Sequence, residues 1–218
     1  MIIEWVVCSV PISERTAFSN YQRAWKPFAN IQGFMGRIGG WNIKNPLEAS
    51  LITFWEDDQT FQAFSDTQET SGINSYPSNE YLSLINTQVY QKKIDILGLT
   101  KQEVFSSIAD GGHLLKIGDC RVKENSKEHF LLMQQSVWNL GMANTPGMNT
   151  GLVAESKGKS NRYLILTRWK NEEEYKAYEE HILPKLLNWA YEGQVEEQFQ
   201  GRLIELEQDW HTMARSIP

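Results

Sequence analysis

The sequence predicts an α+β protein built from two tandem ferredoxin-like units of order β-α-β-β-α-β, packed sheet to sheet within one chain. Three observations carry this. Residues 53 to 64, TFWEDDQTFQAF, are nearly rewritten at 167 to 178 as TRWKNEEEYKAY. Rare residues recur in the same order at a slowly growing offset: Cys8 with Cys120 and Phe18 with Phe130 at 112, Trp25 with Trp138 at 113, Gly33 with Gly147 and Trp55 with Trp169 at 114. Two single-residue gaps therefore align the copies, and a duplication explains the whole chain. The third observation is that the β-rich segments do not alternate apolar with polar, so both faces of each sheet must be covered.

The elements follow in order. Residues 2 to 10 and about 114 to 123 are apolar and β-rich and form the first strands. Phe18, Tyr21, Trp25 and Phe28 recur at three and four residues, the spacing of one helix face; Phe130, Met133, Val137 and Leu140 repeat it, with Ser126 as N-cap. Gly33 and the pair Pro146-Gly147 mark the turn into the second strand, where Gly36, Gly39 and Gly40 relieve packing or form a bulge. The connections through Asn45-Pro46 and Lys157-Gly158-Lys159 lead to the third strands, ASLITFW and RYLILTRW. The second helices open at Asp57 and Asn171. Asn171 with Glu174 has capping-box spacing, and the acidic first turn suits the positive end of a helix. VYQKKIDIL (89 to 97) and GRLIELE (201 to 207) supply the last strands.

This order places both helices of a unit on one side of its sheet. The third strands show what the other side requires: Ile52 and Phe54 lie between Leu51, Thr53 and Trp55, and Leu164 and Leu166 lie between Tyr163, Ile165 and Trp169. Covering each bare face with the other copy would contribute on the order of 10 kcal/mol, taking about 25 cal/mol per Å² of apolar area as an upper bound. The predicted boundaries are residues 1–97 for the first repeat, 98–112 for a linker helix, 113–208 for the second repeat and 209–218 for a C-terminal tail. The linker reading rests on Thr100 and Glu103 as a cap, Val104, Phe105 and Ile108 as an apolar stripe, and Asp110-Gly111-Gly112 as a stop.

The run LILTRWKNEEEYKAYEEH, from third strand into second helix, resembles the dimeric α/β-barrel superfamily, especially its antibiotic-biosynthesis-monooxygenase and haem-degrading branch. The tandem form is similar to uncharacterised bacterial proteins of the YdbC kind. The resemblance covers both halves, more clearly the second. It implies that the two units close into an intramolecular dimeric α/β barrel, and it brings enzymes, binding proteins and members with no assigned role alike, so the fold alone does not assign an activity. For haem degradation the resemblance implies a Trp nine positions, and a haem-binding His nineteen positions, after the strand-ending Trp. This chain has Phe64 and Tyr178 at the first places and Asn74 and Asn188 at the second, so haem degradation is disfavoured.

Composition sets further bounds. With 218 residues, 41% hydrophobic and 22% charged, the chain is an ordinary globular sequence. A formal charge of -6 leaves no basic stripe for nucleic acid, and no apolar run is long enough to span a bilayer. Two cysteines without C-x-x-C spacing give no disulfide framework and point to a cytoplasmic protein with inert, buried thiols. The four histidines, His113, His129, His181 and His211, lack i, i+4 pairing, so no metal is expected. No cofactor is expected either. There is no P-loop, G-x-S-x-G or G-x-G-x-x-G.

The candidate ligand-binding residues are Trp55, Trp169, Tyr178, His181, Arg37, Trp41 and Asn149. The two tryptophans end the third strands, where an indole is ordinarily a core anchor but could also line a pocket for a flat ligand. Tyr178 and Tyr163 would supply hydroxyls. His181 is twelve residues after Trp169 and answered by Thr67 in the first copy; at a helix C-terminus its ordinary role is with the helix dipole. Arg37 and Asn149 are polar residues on the second strands. A buried guanidinium there would need an anion or carboxylate, whereas a stem that reaches solvent is the common outcome. Trp41 is a further lining residue. Together these predict a protein that binds a small, partly apolar molecule. The alternative is a cofactor-independent, monooxygenase-like oxidoreductase acting on an aromatic or quinol-like substrate. A homodimer would protect the sheet edges that the tandem leaves.

Overall fold

The computed structural model of the protein describes residues 1–71, 84–98, 112–190 and 196–214. The chain divides into two compact units, Met1–Gln91 with Ile204–Pro218, and Lys92–Leu203. The helix expected at 98–112 falls, from 99 to 111, outside the described residues.

In the first unit β1 (Ile2–Ser9) leads through a 3-10 turn (Ile12–Glu14) into α1 (Arg15–Arg23), followed by a second 3-10 turn (Lys26–Asn30). Then come β2 (Phe34–Asn42), β3 (Asn45–Trp55), α2 (Asp58–Ser71) and β4 (Leu84–Leu97). The strands lie in the order β4-β1-β3-β2 with antiparallel neighbours, the ferredoxin-like order. β3 begins at Asn45, so Asn45-Pro46, expected as the connection, opens the strand instead. Proline is tolerated there because the ladder does not yet depend on its missing N–H.

The second unit repeats the pattern with β5 (Leu114–Val122), α3 (Lys127–Met133), a π turn (Gln134–Trp138) and α4 (Asn139–Ala143). After it come β6 (Met148–Ser156), β7 (Arg162–Trp169), α5 (Glu172–His181), α6 (Leu183–Ala190) and β8 (Glu196–Leu206). Its strands run β6-β7-β5-β8, the same order read from the other end. In the complete pairing order, β3-β1-β4-β6-β7-β5-β8-β2-β9, β2 also pairs with β3, so the order returns to its start. β4 passes from one compact unit to the other at Gln91 and β8 does so at Leu203. The end of β8 then pairs with Gly40 to Asn42 of β2. A 3-10 turn (Gln208–Trp210) and β9 (Thr212–Met213) follow, and Trp210 is buried in the first unit with Phe18 and Trp41.

The side of each sheet away from its helices is buried: Ile3, Trp5, Ile52 and Phe54 in the first unit, and Leu115, Ile117, Leu164 and Leu166 in the second, are all at most 1% exposed. The helix side holds the cores. In the first unit Ile2, Trp25, Phe34, Trp55, Phe61 and Phe64 form one cluster, and Phe18, Trp41 and Trp210 anchor another. In the second unit Phe130, Trp169, Tyr175, Tyr178 and Leu186 belong to one.

Local signals hold in detail at the second helices. Asp57 Oδ1 accepts the Thr60 N–H at 2.8 Å, and Asn171 Oδ1 accepts the Glu174 N–H at 2.9 Å, each satisfying an otherwise orphan donor. Gly33 and Gly147 take equivalent left-handed conformations, φ +74° and +78°, which explains why both copies need glycine before the second strand. Ser126 stands at the start of α3 but makes no side-chain capping bond there. Leu140, expected on the apolar face, is 57% exposed, because the π turn before it inserts a residue and rotates the face, leaving Met142 buried instead. That inserted residue is the first of the two gaps in the repeat, where the offset passes from 112 to 113.

Candidate functional site

In the second unit a cavity of about 440 Å³ lies between the sheet and its helices. Antiparallel partners face the same side, and the pairs Lys116 with Thr167 and Gly118 with Ile165 present the floor. Cys120 continues it along β5. Gln134 and Trp138 come from the two ends of the π turn, and Met142 from α4. α5 contributes Tyr175, Tyr178 and Glu179; Leu183 and Leu187 of α6 and Phe199 of β8 complete the wall. The lining is thus largely apolar with a few placed polar groups, the usual make-up of a small-molecule site.

The polar groups are distinct in kind. The Tyr175 hydroxyl donates to Glu179 Oε1 at 2.8 Å. Burial, reinforced by the Glu179 charge, pushes both the Tyr175 and Tyr178 phenols up, so they remain hydrogen-bond donors. Lys116 Nζ lies 5.3 Å from the centre of the Tyr175 ring. Thr167 Oγ1 accepts the Trp169 indole N–H at 2.9 Å. Gln134 is 3% exposed and its Oε1 has no hydrogen-bond partner, which makes that amide oxygen the one polar atom of the lining that is both buried and unmet among the described residues.

At the equivalent place in the first unit lies the Arg37 side chain. Register identifies the equivalents: β1 and β5 align at an offset of 112, β3 and β7 at 114, so Arg37, paired with Thr53, corresponds to Gly151, paired with Thr167. Arg37 is 1% exposed, not a stem that reaches solvent as expected. Its guanidinium carbon lies 3.5 Å from the centre of the Trp25 ring and its Nη2 donates to Gln22 Oε1 at 2.8 Å. Trp25 and Gln22 are the counterparts of Trp138 and Gln134, which line the cavity. Gly118 likewise stands where the first unit has Val6, and the Phe199 ring comes within 3.0 Å of where a side chain at Gly118 would begin.

Of the candidates drawn from the sequence, Tyr178 alone lines the cavity. Trp55 and Trp169 are fully buried core anchors, with the tilted rings of Phe64 and Tyr178 centred 4.6 and 4.9 Å from them. Trp41 is packed against Phe18 and Trp210, with the Arg15 guanidinium 4.0 Å from its ring centre. His181 is exposed at the last turn of α5, and the helix breaks at Ile182 just before Pro184, as the proline suggests. Asn149 sits at the bulge between Met148 and Thr150, and its counterpart by register is Met35, not Arg37. Tyr163 is buried against Phe130 at 4.5 Å, with its hydroxyl 3.5 Å from Glu155 Oε1. Asn188, one of the two nineteen-position residues, is exposed; Asn74 lies outside the described residues.

Sequence reading missed Gln134, Lys116 and Trp138 as lining residues. The signal was present in the repeat, since Gln22 and Gln134 recur at the Phe18–Phe130 offset on otherwise apolar helix faces, while Arg37 and Gly151 do not match. A second depression, about 560 Å³, is a polar groove over Asp119, Arg121, Lys159 and Arg162. Its Arg162 is held by the Asp119 carboxylate through two hydrogen bonds, so its main cation is already neutralised.

Comparison with known proteins places these features. The chain is 28% identical over 94 residues to the uncharacterized protein YdbC of Bacillus subtilis, covering 42% of this chain and 79% of that one. It superposes on a candidate monooxygenase from Lactobacillus acidophilus with a TM-score of 0.69 at 12% identity, covering 99% of this chain and 97% of that one. For an anthrone oxidase-like protein the TM-score is 0.74 at 8% identity, with coverage of 99% and 94%. At such identities the likeness is one of fold. Among the described residues no helix is long and apolar enough to cross a membrane. Residues 2–90, the first repeat, match a domain of unknown function, DUF4937, and the chain, with two ferredoxin-like units in tandem, shares the fold of the two solved structures above.

Proposed function

We propose that the protein binds one small, partly apolar molecule per chain, in the cavity between the sheet and helices of its second unit. The observation that carries this is the contrast between the repeats: in the first, Arg37 lies on Trp25 and Gln22, and in the second, where Gly151 brings no such side chain and Gly118 lies in the floor, the counterparts of Trp25 and Gln22 line a cavity. Tryptophan, tyrosine and leucine surface that faces water in such a cavity favours an occupant that covers it with apolar area of its own. Tyr178 and Lys116 add polar handles that would orient the occupant.

A second reading, a cofactor-independent monooxygenase-like oxidoreductase acting on an aromatic or quinol-like substrate, is favoured by one feature, the Glu179 carboxylate in the wall. It could take the proton that a quinol must lose before oxidation.

Gly118→Val tests the binding reading, because it reproduces the Val6 of the first unit. The Phe199 ring is 56% exposed and can yield, so the variant should fold. In titrations with a panel of small aromatics followed by protein NMR, the shifts should cluster around Tyr178 and Trp138, and saturate at one equivalent. Gly118→Val should lose them; shifts scattered over the surface, or unchanged in the variant, would refute the site. Oxygen uptake in the presence of quinols, lost in Glu179→Gln, tests the enzymatic reading.

A further inference from the structure

The first unit holds, within its own chain, what we infer to be a template for the ligand of the second: we propose that the cavity takes a neutral, planar, nitrogen-containing aromatic whose N–H donates to Gln134 Oε1 and whose ring packs on Trp138. This rests on the binding reading above and names the chemistry of the occupant.

Three observations point the same way. In the first unit a planar N–H donor, the Arg37 guanidinium, lies over the Trp25 ring and donates to Gln22 Oε1 at 2.8 Å. In the second unit the counterpart oxygen, Gln134 Oε1, is buried and without a hydrogen-bond partner among the described residues, and the counterpart indole, Trp138, lines the same cavity. A buried carbonyl oxygen left unmet is costly, so an occupant that brings a donor is favoured over one that does not. The π turn supports the assignment. It begins at Gln134 and ends at Trp138, and such single-turn insertions gather at functional positions.

Charge separates this occupant from a guanidinium. Across β1, β3 and β2 the first unit sets Glu4, Thr53 and Arg37 side by side; the second sets Lys116, Thr167 and Gly151 in the same register. The acidic position has become basic. With Lys116 and Glu179 both in the lining, the cavity offers no net charge to balance a cation. The donor is therefore a ring N–H or an amino group of a neutral heterocycle.

Indole and indene, which differ by N–H against CH₂, test this on the full-length protein by NMR titration. Indole should bind about tenfold more tightly, the scale of one buried hydrogen bond gained. Its N–H resonance should move downfield on binding. In Gln134→Met, which keeps the length of the side chain and removes the amide, the two should bind alike. Equal affinity in the wild type, or a preference that survives Gln134→Met, would overturn the proposal and leave the cavity as a general apolar site. Failure of both probes to bind, with no difference between wild type and Gly118→Val, would instead remove the binding reading and this one with it. Should Gln134→Met not fold, the downfield shift of the wild-type-bound indole N–H decides: its absence overturns the donor assignment.

Discussion

The Arg37 guanidinium lies 3.5 Å from the centre of the Trp25 ring and is held there by Gln22, in the interior of the first unit. It is not a surface charge whose loss would pass unnoticed. Arg37→Met preserves most of the volume but removes the cation over the ring and leaves the Gln22 amide oxygen buried without its donor. The expected cost is about 2 kcal/mol, from the range for an unmet buried polar group. Urea denaturation should show a lower midpoint with an unchanged slope. A variant as stable as the wild type would mean that the guanidinium contributes no net stabilisation.

The two thiols should differ in reactivity although neither is exposed. Burial pushes the Cys8 thiol up to about 12, against a smaller opposing pull from the Arg37 charge, so its reactive thiolate is scarce at pH 8. Cys120, its counterpart, borders the cavity. A small thiol-specific reagent should therefore modify Cys120 before Cys8 in the native protein, as read by peptide mass spectrometry. Gly118→Val should slow Cys120 and leave Cys8 unchanged. Equal rates at both positions would show that reaction proceeds through global unfolding and not through the cavity.

The fold was legible because rare residues carried the repeat. Trp55 and Trp169 end the third strands, Cys8 and Cys120 lie in the first, and the caps at Asp57 and Asn171 both form as written. Those signals are local or periodic. The site was not legible in the same way, because a cavity is a difference between two packings. Arg37 reads in the sequence as a stem bound for solvent; whether it stays inside depends on Trp25 and Gln22 being brought beneath it, which only the tertiary fold decides. Trp41 and Trp210 show the same limit, since two rings far apart along the chain have centres 5.3 Å apart. The π turn, a single extra residue, moved Leu140 out of the core and left Met142 in it.

The two helix caps predict different pH behaviour. The Thr60 backbone N–H, with help from the Thr60 hydroxyl, holds the Asp57 carboxyl below the usual carboxylate range. A carboxyl whose folded-state pKa is depressed contributes stability that is complete above its unfolded value, near pH 4, and lost as pH falls through the lower folded value. The Asn171 cap does not titrate. Asp57→Asn should thus narrow the gap in thermal midpoint between pH 6 and pH 3, relative to wild type. Asn171→Ala should lower stability by about 1 kcal/mol at both pH values alike. Calorimetry across that range checks both, and an Asp57→Asn profile parallel to the wild type would show that the cap carries no proton linkage.

Trp55 and Trp169 occupy equivalent positions and are both fully buried, yet their indole nitrogens fare differently. Trp169 Nε1 donates to Thr167 Oγ1 at 2.9 Å, whereas Trp55 Nε1 is buried with no hydrogen-bond partner among the described residues. Substitution by phenylalanine removes a similar volume from each core, so the cavity terms should be close. The polar terms should not. Trp169→Phe breaks a made hydrogen bond, while Trp55→Phe removes a donor that is already unmet and so returns part of its cost. Trp169→Phe is expected to be the more destabilising by about 1 kcal/mol. Chemical denaturation of the two single variants and the double variant measures the difference. The reverse order would mean that the Trp55 nitrogen finds a partner in solution, and that the two tryptophans are interchangeable anchors after all.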